Sequence, residues 1–304
     1  YTTFFNGRLW AAGIKDEPFT IRWTAAAPYH RVWPALAAEP LMEDDNSPIT
    51  GIHPLGEQLV VFKRDSIWIM VDSGENPATQ VRAFSPIRVV AGVGCVSNSS
   101  IQKVKGRLVF LAEDGVYMFD GTANIKKISD RIDNSIKKIT PWKQASSAAV
   151  NWRENNLYML SVSVDGSLVN NRVFVWDYKN DSWWVWKDFN AQVWMSDEDS
   201  QDREQIYFSD DKGSTYKMIR GRTDDHGAAI SSELLTHRVS MDSNTRKTLR
   251  QVETLSSNLS GTLTVAVRAN DDSNNEDSGS IVVSDSTDPQ SGTAVSGTDK
   301  FALD

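Results

Sequence analysis

The chain has 304 residues, of which 40% are hydrophobic and 24% are charged, and its formal net charge is −8. A chain of this length can bury a substantial core and can form one large domain or two smaller ones. No stretch reaches the roughly 20 apolar residues that a transmembrane helix needs, and the acidic balance argues against tight, sequence-independent DNA binding.

The ends and the cysteine content give further expectations. Residues 1–10 lack an initiator methionine and a basic leader, and they begin inside a strand-like phrase. We expect no signal peptide, and we expect the ordered part of a longer polypeptide rather than a processed product. Cys95 is the only cysteine, so no intrachain disulfide can form, which is typical of folding in a reducing cytoplasm.

One pattern recurs along the first two thirds of the chain: an apolar strand, a charged turn, then a strand rich in aromatic residues. From residue 56 to residue 166 it returns about every 45–50 residues, a spacing typical of propeller blades. No copy can bury both of its faces alone, so the copies must pack on one another. The sequence therefore predicts an all-β chain, a β-propeller or a fragment of one. The copies lie at 6–13, 56–72, 105–121, 154–166 and 171–188.

Taken in chain order, the clearest hairpin is at 49–72. Residues 59–62 form a short apolar run, 63–65 are charged, and apolar residues follow, which predicts a buried strand, a turn and a returning strand. Asp114 and Gly115 form a turn dipeptide in the next copy. Residues 130–140 carry isoleucines spaced by four and three, which predicts the one short helix.

The last third of the chain differs in composition. Residues 196–304 hold 20 of the 40 acidic residues but 11 of the 32 basic ones, and the last of the eleven tryptophans is Trp194. We therefore assign 1–220 to propeller blades. Residues 221–304 are a last blade or a separate β module with long polar loops, because the segment from about 269 buries little apolar surface.

A short motif at 209–216 matches the Asp box of sialidase-type and related propellers. In that motif the Asp and hydroxyl side chains bind backbone amides, the glycine takes a positive φ, and the aromatic packs into the blade. We interpret it as a structural turn rather than a catalytic site. Its residues are Ser209, Asp211, Gly213, Thr215 and Tyr216.

The aromatic run at 173–186 resembles the strand ending of a kelch blade, although the kelch diglycine is missing. We expect Trp68, Trp176 and Trp183 to pack between blades. The alternative is that an exposed tryptophan of this run anchors a partner.

No pattern indicates catalysis, a metal or a cofactor. The four histidines lack zinc-ligand spacing, and the acidic stretches 196–204 and 270–279 lack the spacing of an EF-hand loop. Cys95 is expected to be a small buried hydrophobe, and no phosphate-binding glycine loop follows a strand. We therefore expect a protein that is not an enzyme and needs neither metal nor cofactor. The histidines are His30, His53, His226 and His237.

Residues 49–121 resemble the β-propeller part of tail nozzle and DNA-stabilisation proteins of short-tailed bacteriophages. The similarity rests on the strand pair at 59–68, the glycine turn and polar run at 92–100, and the hairpin at 106–121. The later run at 172–186 fits the same proteins, and the resemblance spans about residues 1–220.

The resemblance implies a virion protein of the phage tail, assembled in the bacterial cytoplasm. Such proteins form a ring of identical subunits, commonly six, next to portal, adaptor or other tail proteins. The ring continues the channel for double-stranded DNA, retains the packaged genome and opens for ejection. Two other functions remain open: a glycan-binding or glycan-cleaving Asp-box propeller, and a kelch-like adaptor that binds one cellular protein.

Overall fold

A computed structural model of the chain describes residues 1–219 except 27, 30, 42–46 and 76–80, together with the backbone of four strands between 224 and 283. The described residues are mostly β and hold little helix, which confirms the predicted all-β class. The chain forms two compact units, Tyr1–Ala228 and Ala229–Asp304. The division after residue 220 stays a prediction.

The first unit contains five consecutive antiparallel sheets, in each of which the strands lie side by side in chain order. Sheet 1 comprises β1 (Thr2–Phe5), β2 (Arg8–Ile14), β3 (Glu17–Trp23) and β4 (Ala38–Pro40). Sheet 2 comprises β5 (Ile49–Leu55), β6 (Gln58–Lys63), β7 (Ser66–Glu75) and β8 (Arg82–Ala91). Sheet 3 comprises β9 (Gln102–Val104), β10 (Arg107–Leu111), β11 (Val116–Phe119) and β12 (Ile125–Lys127). Sheet 4 comprises β13 (Ala148–Trp152), β14 (Leu157–Val162), β15 (Arg172–Asp177) and β16 (Ser182–Lys187). Sheet 5 comprises β17 (Val193–Glu198), β18 (Glu204–Ser209) and β19 (Thr215–Lys217).

Short turns join the strands where the sequence predicts them. The β6–β7 turn follows Lys63, and the β10–β11 turn contains Asp114 and Gly115. The loop after β8 closes on the β6–β7 turn, and the Cys95 amide donates to the Lys63 carbonyl at 2.9 Å. A β-carbon on Gly94 would lie 2.1 Å from the same carbonyl oxygen. Only glycine allows this close approach of two backbones.

β6 of sheet 2 is buried on both faces, because sheet 2 shares a core with the sheet before it and another with the sheet after it, whereas β8 is largely exposed. On one face, Trp68 packs in a cluster with Trp10 and Trp23 of sheet 1. On the other face, Phe62 meets Phe110 of sheet 3, with ring centroids 4.9 Å apart. This explains the continuous apolar run at 59–62, since both sides of β6 face protein.

Sheets 3, 4 and 5 continue the arrangement. Leu111 of sheet 3 lies in one cluster with Phe174 and Trp176 of sheet 4. The opposite face of sheet 4 packs Val175 against Ile206 of sheet 5. The five sheets of the first unit therefore stack in chain order, and each neighbouring pair is joined by its own hydrophobic cluster.

Helix is scarce in the described part of the first unit. The predicted helix at 130–140 is shorter than expected: a 3-10 turn at Asp130–Ile132 leads into α1 (Asp133–Ile136). Other 3-10 turns lie at Asn98–Ser100, Pro141–Ser146 and Arg153–Asn155.

The remaining described strands are β20 (Asp224–Asp225), β21 (Ala228–Ala229), β22 (Gly261–Arg268) and β23 (Glu276–Val283). β20 pairs with β21, and β22 pairs with β23 in an antiparallel hairpin in which Gly261 lies opposite Val283. The predicted polar loops of 221–304 otherwise lie outside the described residues.

Candidate functional site

The first strands of successive sheets lie next to one another. β1 contacts β5, β9 contacts β13, and β13 contacts β17. The 3-10 turn Asn98–Ser100, directly before β9, contacts β5. Residues from the beginnings of four sheets therefore meet, although they are far apart in sequence.

A cavity of about 380 Å³ lies where these strand beginnings meet. β5 contributes a wall residue, as do the start of β9, the segment leading into β13 and the segment leading into β17. Most of the polar groups on its wall are neutral amides and hydroxyls. The polar and aromatic lining includes His53, Asn98, Gln102, Ser146, Gln192 and Trp194.

Hydrogen bonds between sheets fix two of the lining amides. The Asn98 Oδ1 atom accepts from the Ile52 amide of sheet 2 at 3.3 Å. The Gln102 Nε2 atom donates to the Ala149 carbonyl of sheet 4 at 2.8 Å. Both side chains are thus held by a neighbouring sheet, and each keeps its other polar atom for a further partner.

Gln192 is held by a buried asparagine. The Asn170 amide donates to Gln192 Oε1 at 3.2 Å, and Gln192 Nε2 donates back to the Asn170 carbonyl at 3.1 Å. The Asn170 Nδ2 group also donates to the carbonyls of Ser146 and Ala191. This network ties the loop before β17 to the loop before β13, so the wall is preorganised.

His53 is the only titratable side chain that the described residues place on the cavity wall. Burial lowers its pKa, opposed by the hydrogen bond to the Pro54 carbonyl and reinforced by nearby Lys103. Nδ1 donates to that carbonyl at 2.9 Å, because a carbonyl oxygen can only accept. Nε2 of the neutral ring is then an acceptor.

Trp194 forms an apolar part of the wall. Its Nε1 atom donates to Ser161 Oγ at 3.0 Å. Its ring is stacked with Phe189, with centroids 6.1 Å apart and planes at 10°. These contacts fix the position of the indole against sheets 4 and 5.

The predicted Asp-box residues form the β18–β19 turn. Ser209 and Thr215 share a hydrogen bond between their hydroxyls at 2.9 Å, and Gly213 has a φ of +85°. Tyr216 stacks on Phe208 with centroids 5.1 Å apart. The positive φ of Gly213 and the packing of Tyr216 are as the motif predicts, whereas the two hydroxyls bond to each other rather than to backbone amides.

The choice of Asp211 as the amide-binding carboxylate is wrong. Asp210 Oδ1 accepts from the amides of Lys212 at 2.9 Å and Ser214 at 2.8 Å. Desolvation raises the pKa of Asp210, but the Ser214 and Lys212 amides more than offset it, so the pKa lies below its usual value. Asp211 instead accepts from Asn190 Nδ2 in the β16–β17 loop. Asp210 directly follows β18, where its side chain reaches the amides inside the turn.

The three predicted tryptophans pack between sheets. Trp68 is 2% exposed and lies between sheets 1 and 2. Trp176 is buried between sheets 3 and 4, and Trp183 stacks on it with centroids 6.1 Å apart. The Trp183 Nε1 atom donates to the Ile128 carbonyl, which joins the two sheets.

Cys95 and the acidic stretch 196–204, which the sequence analysis also considered as possible sites, have structural roles in the fold. Cys95 is fully buried, and burial raises its pKa to about 12. In the acidic stretch 196–204, Asp199 accepts from the amides of Gln201 and Arg203, which makes a turn. No cluster of metal-ligating side chains exists among the residues that the structure places. His30, His226 and His237 lie outside the described residues.

Sequence reasoning missed the cavity. His53, Gln102 and Gln192 are separated by tens of residues and form no local motif. The available signal was their place in the repeat, because each lies in or next to the first strand of its sheet.

Comparison with known proteins adds little. No protein family and no curated protein matches the chain. A solved structure of PorZ, an essential surface component of the type IX secretion system of Porphyromonas gingivalis, matches with 13% identity and a TM-score of 0.35. The match covers 75% of this chain and 27% of the PorZ chain, and a similarity this low carries no argument about function. Among the described residues, no helix has both the length and the apolar character needed to span a bilayer.

Proposed function

We propose that the five sheets are blades of a β-propeller and that the chain is a structural, non-enzymatic component of a bacteriophage tail. In this role it forms a ring of identical subunits that continues the DNA channel, retains the packaged genome and opens for ejection. The propeller is supported by the stacking of the five sheets in chain order, with the first strands of successive sheets next to one another. The tail assignment is supported by the sequence resemblance at 49–121.

The packing supports blades rather than an unrelated set of sheets. In a propeller, four-stranded blades pack around an axis. Four of the five sheets have four strands, and consecutive sheets share one cluster each. The clusters on the two faces of sheet 2 are distinct, as expected for a blade between two neighbours.

An exposed apolar loop supports contacts with other subunits. The connection between β3 and β4 exposes Tyr29, Val32, Trp33 and Leu36, each to at least 43%. Isolated exposed apolar residues are ordinary, but several in one loop are typical of interaction surfaces. We assign this surface, the β3–β4 loop surface, to the contact between neighbouring subunits of the ring.

The charge supports a channel that DNA passes rather than binds. At a net charge of −8, the chain lacks the excess of cations that displaces counterions from DNA. A wall that attracted DNA would slow its movement through the channel.

The test is the mass and symmetry of particles from the native source, measured by mass photometry and low-resolution electron microscopy. We expect a closed ring, coaxial with a viral tail, with an open axial channel. A monomer at all concentrations that binds no tail or portal protein would contradict the proposal.

Matched variants locate the subunit contact. Trp33→Ser combined with Leu36→Ser should shift rings to smaller species, because the variant removes two apolar anchors from the β3–β4 loop surface. Leu168→Ser is the control, since Leu168 is 73% exposed but lies between β14 and β15. Equal dissociation of both variants would exclude this loop as the contact.

A further inference from the structure

The cavity wall carries hydrogen-bonding groups that the protein does not use. Asn98 Nδ2, Gln102 Oε1 and His53 Nε2 have no protein partner among the described residues, while the other polar atom of each side chain is engaged. Ser99 and Ser146, which are both exposed to solvent, also line the cavity, and their hydroxyls have no partner in the described part of the chain. The wall therefore offers one amide donor, two acceptors, and two hydroxyls that can do either.

The wall also selects by charge. No carboxylate, lysine or arginine lines the cavity among the described residues, and burial lowers the pKa of its one titratable group, His53, which disfavours the charged imidazolium. A bound phosphate or carboxylate would find no cation on the wall itself, and partial burial of an unpaired charge is costly. The ligand that fits is uncharged and rich in groups that both donate and accept.

The size of the cavity limits the ligand further. Small-molecule pockets range over roughly 300–1,000 Å³, and this cavity, at about 380 Å³, lies near the lower end. It suits a unit of the size of a mono- or disaccharide. Trp194 supplies an apolar surface against which the C–H groups of a sugar can pack.

We propose that this cavity binds a neutral saccharide, whose hydroxyls pair with Asn98, Gln102, His53 and the two serines while Trp194 covers its apolar side. The proposal adds a ligand to the proposed tail component and does not depend on that role. It involves recognition only, without bond cleavage.

The experiment titrates the full chain with glucose, galactose, mannose, N-acetylglucosamine and their disaccharides, and follows the Trp194 indole N–H by NMR. N-acetylneuraminic acid and glucose 6-phosphate are the charged comparison probes. We expect saturable binding of at least one neutral sugar, with weaker or no binding of the charged probes.

Asn98→Asp is the informative variant. It retains Oδ1 for the Ile52 amide but replaces the free donor with a charged acceptor, so we expect at least a tenfold loss of affinity. Asn124→Asp is the matched control, because Asn124 is exposed in the turn before β12. Its substitution changes the charge of the chain by the same amount. Should Asn98→Asp fail to fold, Ser99→Leu obstructs the cavity from an exposed position and should abolish binding.

Three outcomes would overturn the proposal: no saturable binding of any neutral sugar, tighter binding of the charged probes, or equal binding by the folded Asn98 and Asn124 variants. Ring mass is measured on the same samples. If the ring forms but no sugar binds, only the proposed saccharide site is contradicted. If a monomer binds sugar, only the proposed tail role is contradicted.

Discussion

His53 combines a half-buried imidazole with a fixed hydrogen bond. Burial lowers its pKa below the ordinary value, and Nδ1 is committed to the Pro54 carbonyl. In the unfolded chain the pKa returns to about 6.5. Between the folded and unfolded values the unfolded state binds more protons, so stability falls as the pH falls through that window.

His53→Gln should therefore reduce acid sensitivity. We expect the urea midpoint of the wild type to fall more than that of the variant between about pH 7 and about pH 5.5, a window that begins at the unfolded histidine value. The other three histidines are present in both proteins, so the difference reports His53. Parallel curves for the two proteins would contradict the assignment.

At the scale of single elements, the β18–β19 turn depends on one of two neighbouring carboxylates. Asp210→Ala should lower the melting temperature of the chain more than Asp211→Ala, because only Asp210 holds two turn amides. Both variants remove the same charge, so Asp211→Ala is the control for electrostatics. A larger effect of Asp211→Ala, measured by thermal unfolding, would show that its contact with Asn190 matters more.

Local signals explain what the sequence predicts well. Strand alternation and turn residues act over a few positions, so β6, β7, β10 and β11 are found with their turns. The same spacing does not distinguish Asp210 from Asp211, since the outcome depends on which side chain the end of β18 directs at the turn amides.

The cavity depends on distances that no local signal contains. Asn98 and Gln102 become wall residues because their segments contact β5 and β13. Only the stacking of the sheets brings these residues together. The sequence predicted the stacking through the repeats, but not which polar residues would meet where the first strands converge.

At the scale of the whole first unit, shared cores couple each sheet to its neighbours. Tyr158 of sheet 4 is fully buried and donates from its hydroxyl to the Ser100 carbonyl at 2.9 Å, next to sheet 3. Tyr158→Phe removes this bond and leaves the carbonyl without it, which should cost about 1–2 kcal/mol of unfolding free energy.

Hydrogen exchange tests whether the Tyr158→Phe substitution lowers the unfolding free energy of the neighbouring sheets as well as that of sheet 4. If the stack unfolds cooperatively, the most protected amides of sheets 2, 3 and 4 should lose protection by similar amounts. Tyr178→Phe is the control, because Tyr178 is only partly buried. Loss confined to sheet 4 would contradict cooperative unfolding of the stack.

The order of the sheets has a consequence for biosynthesis. Within each of the five described sheets, strands pair only with strands adjacent in sequence, and each sheet after the first shares a hydrophobic cluster with the sheet before it. Each sheet can therefore form soon after it leaves the ribosome, on a surface that is already in place. Within these five sheets no described strand pairs with one made much later, so strand pairing in this part of the chain needs only contacts that are close in sequence, which favours fast folding.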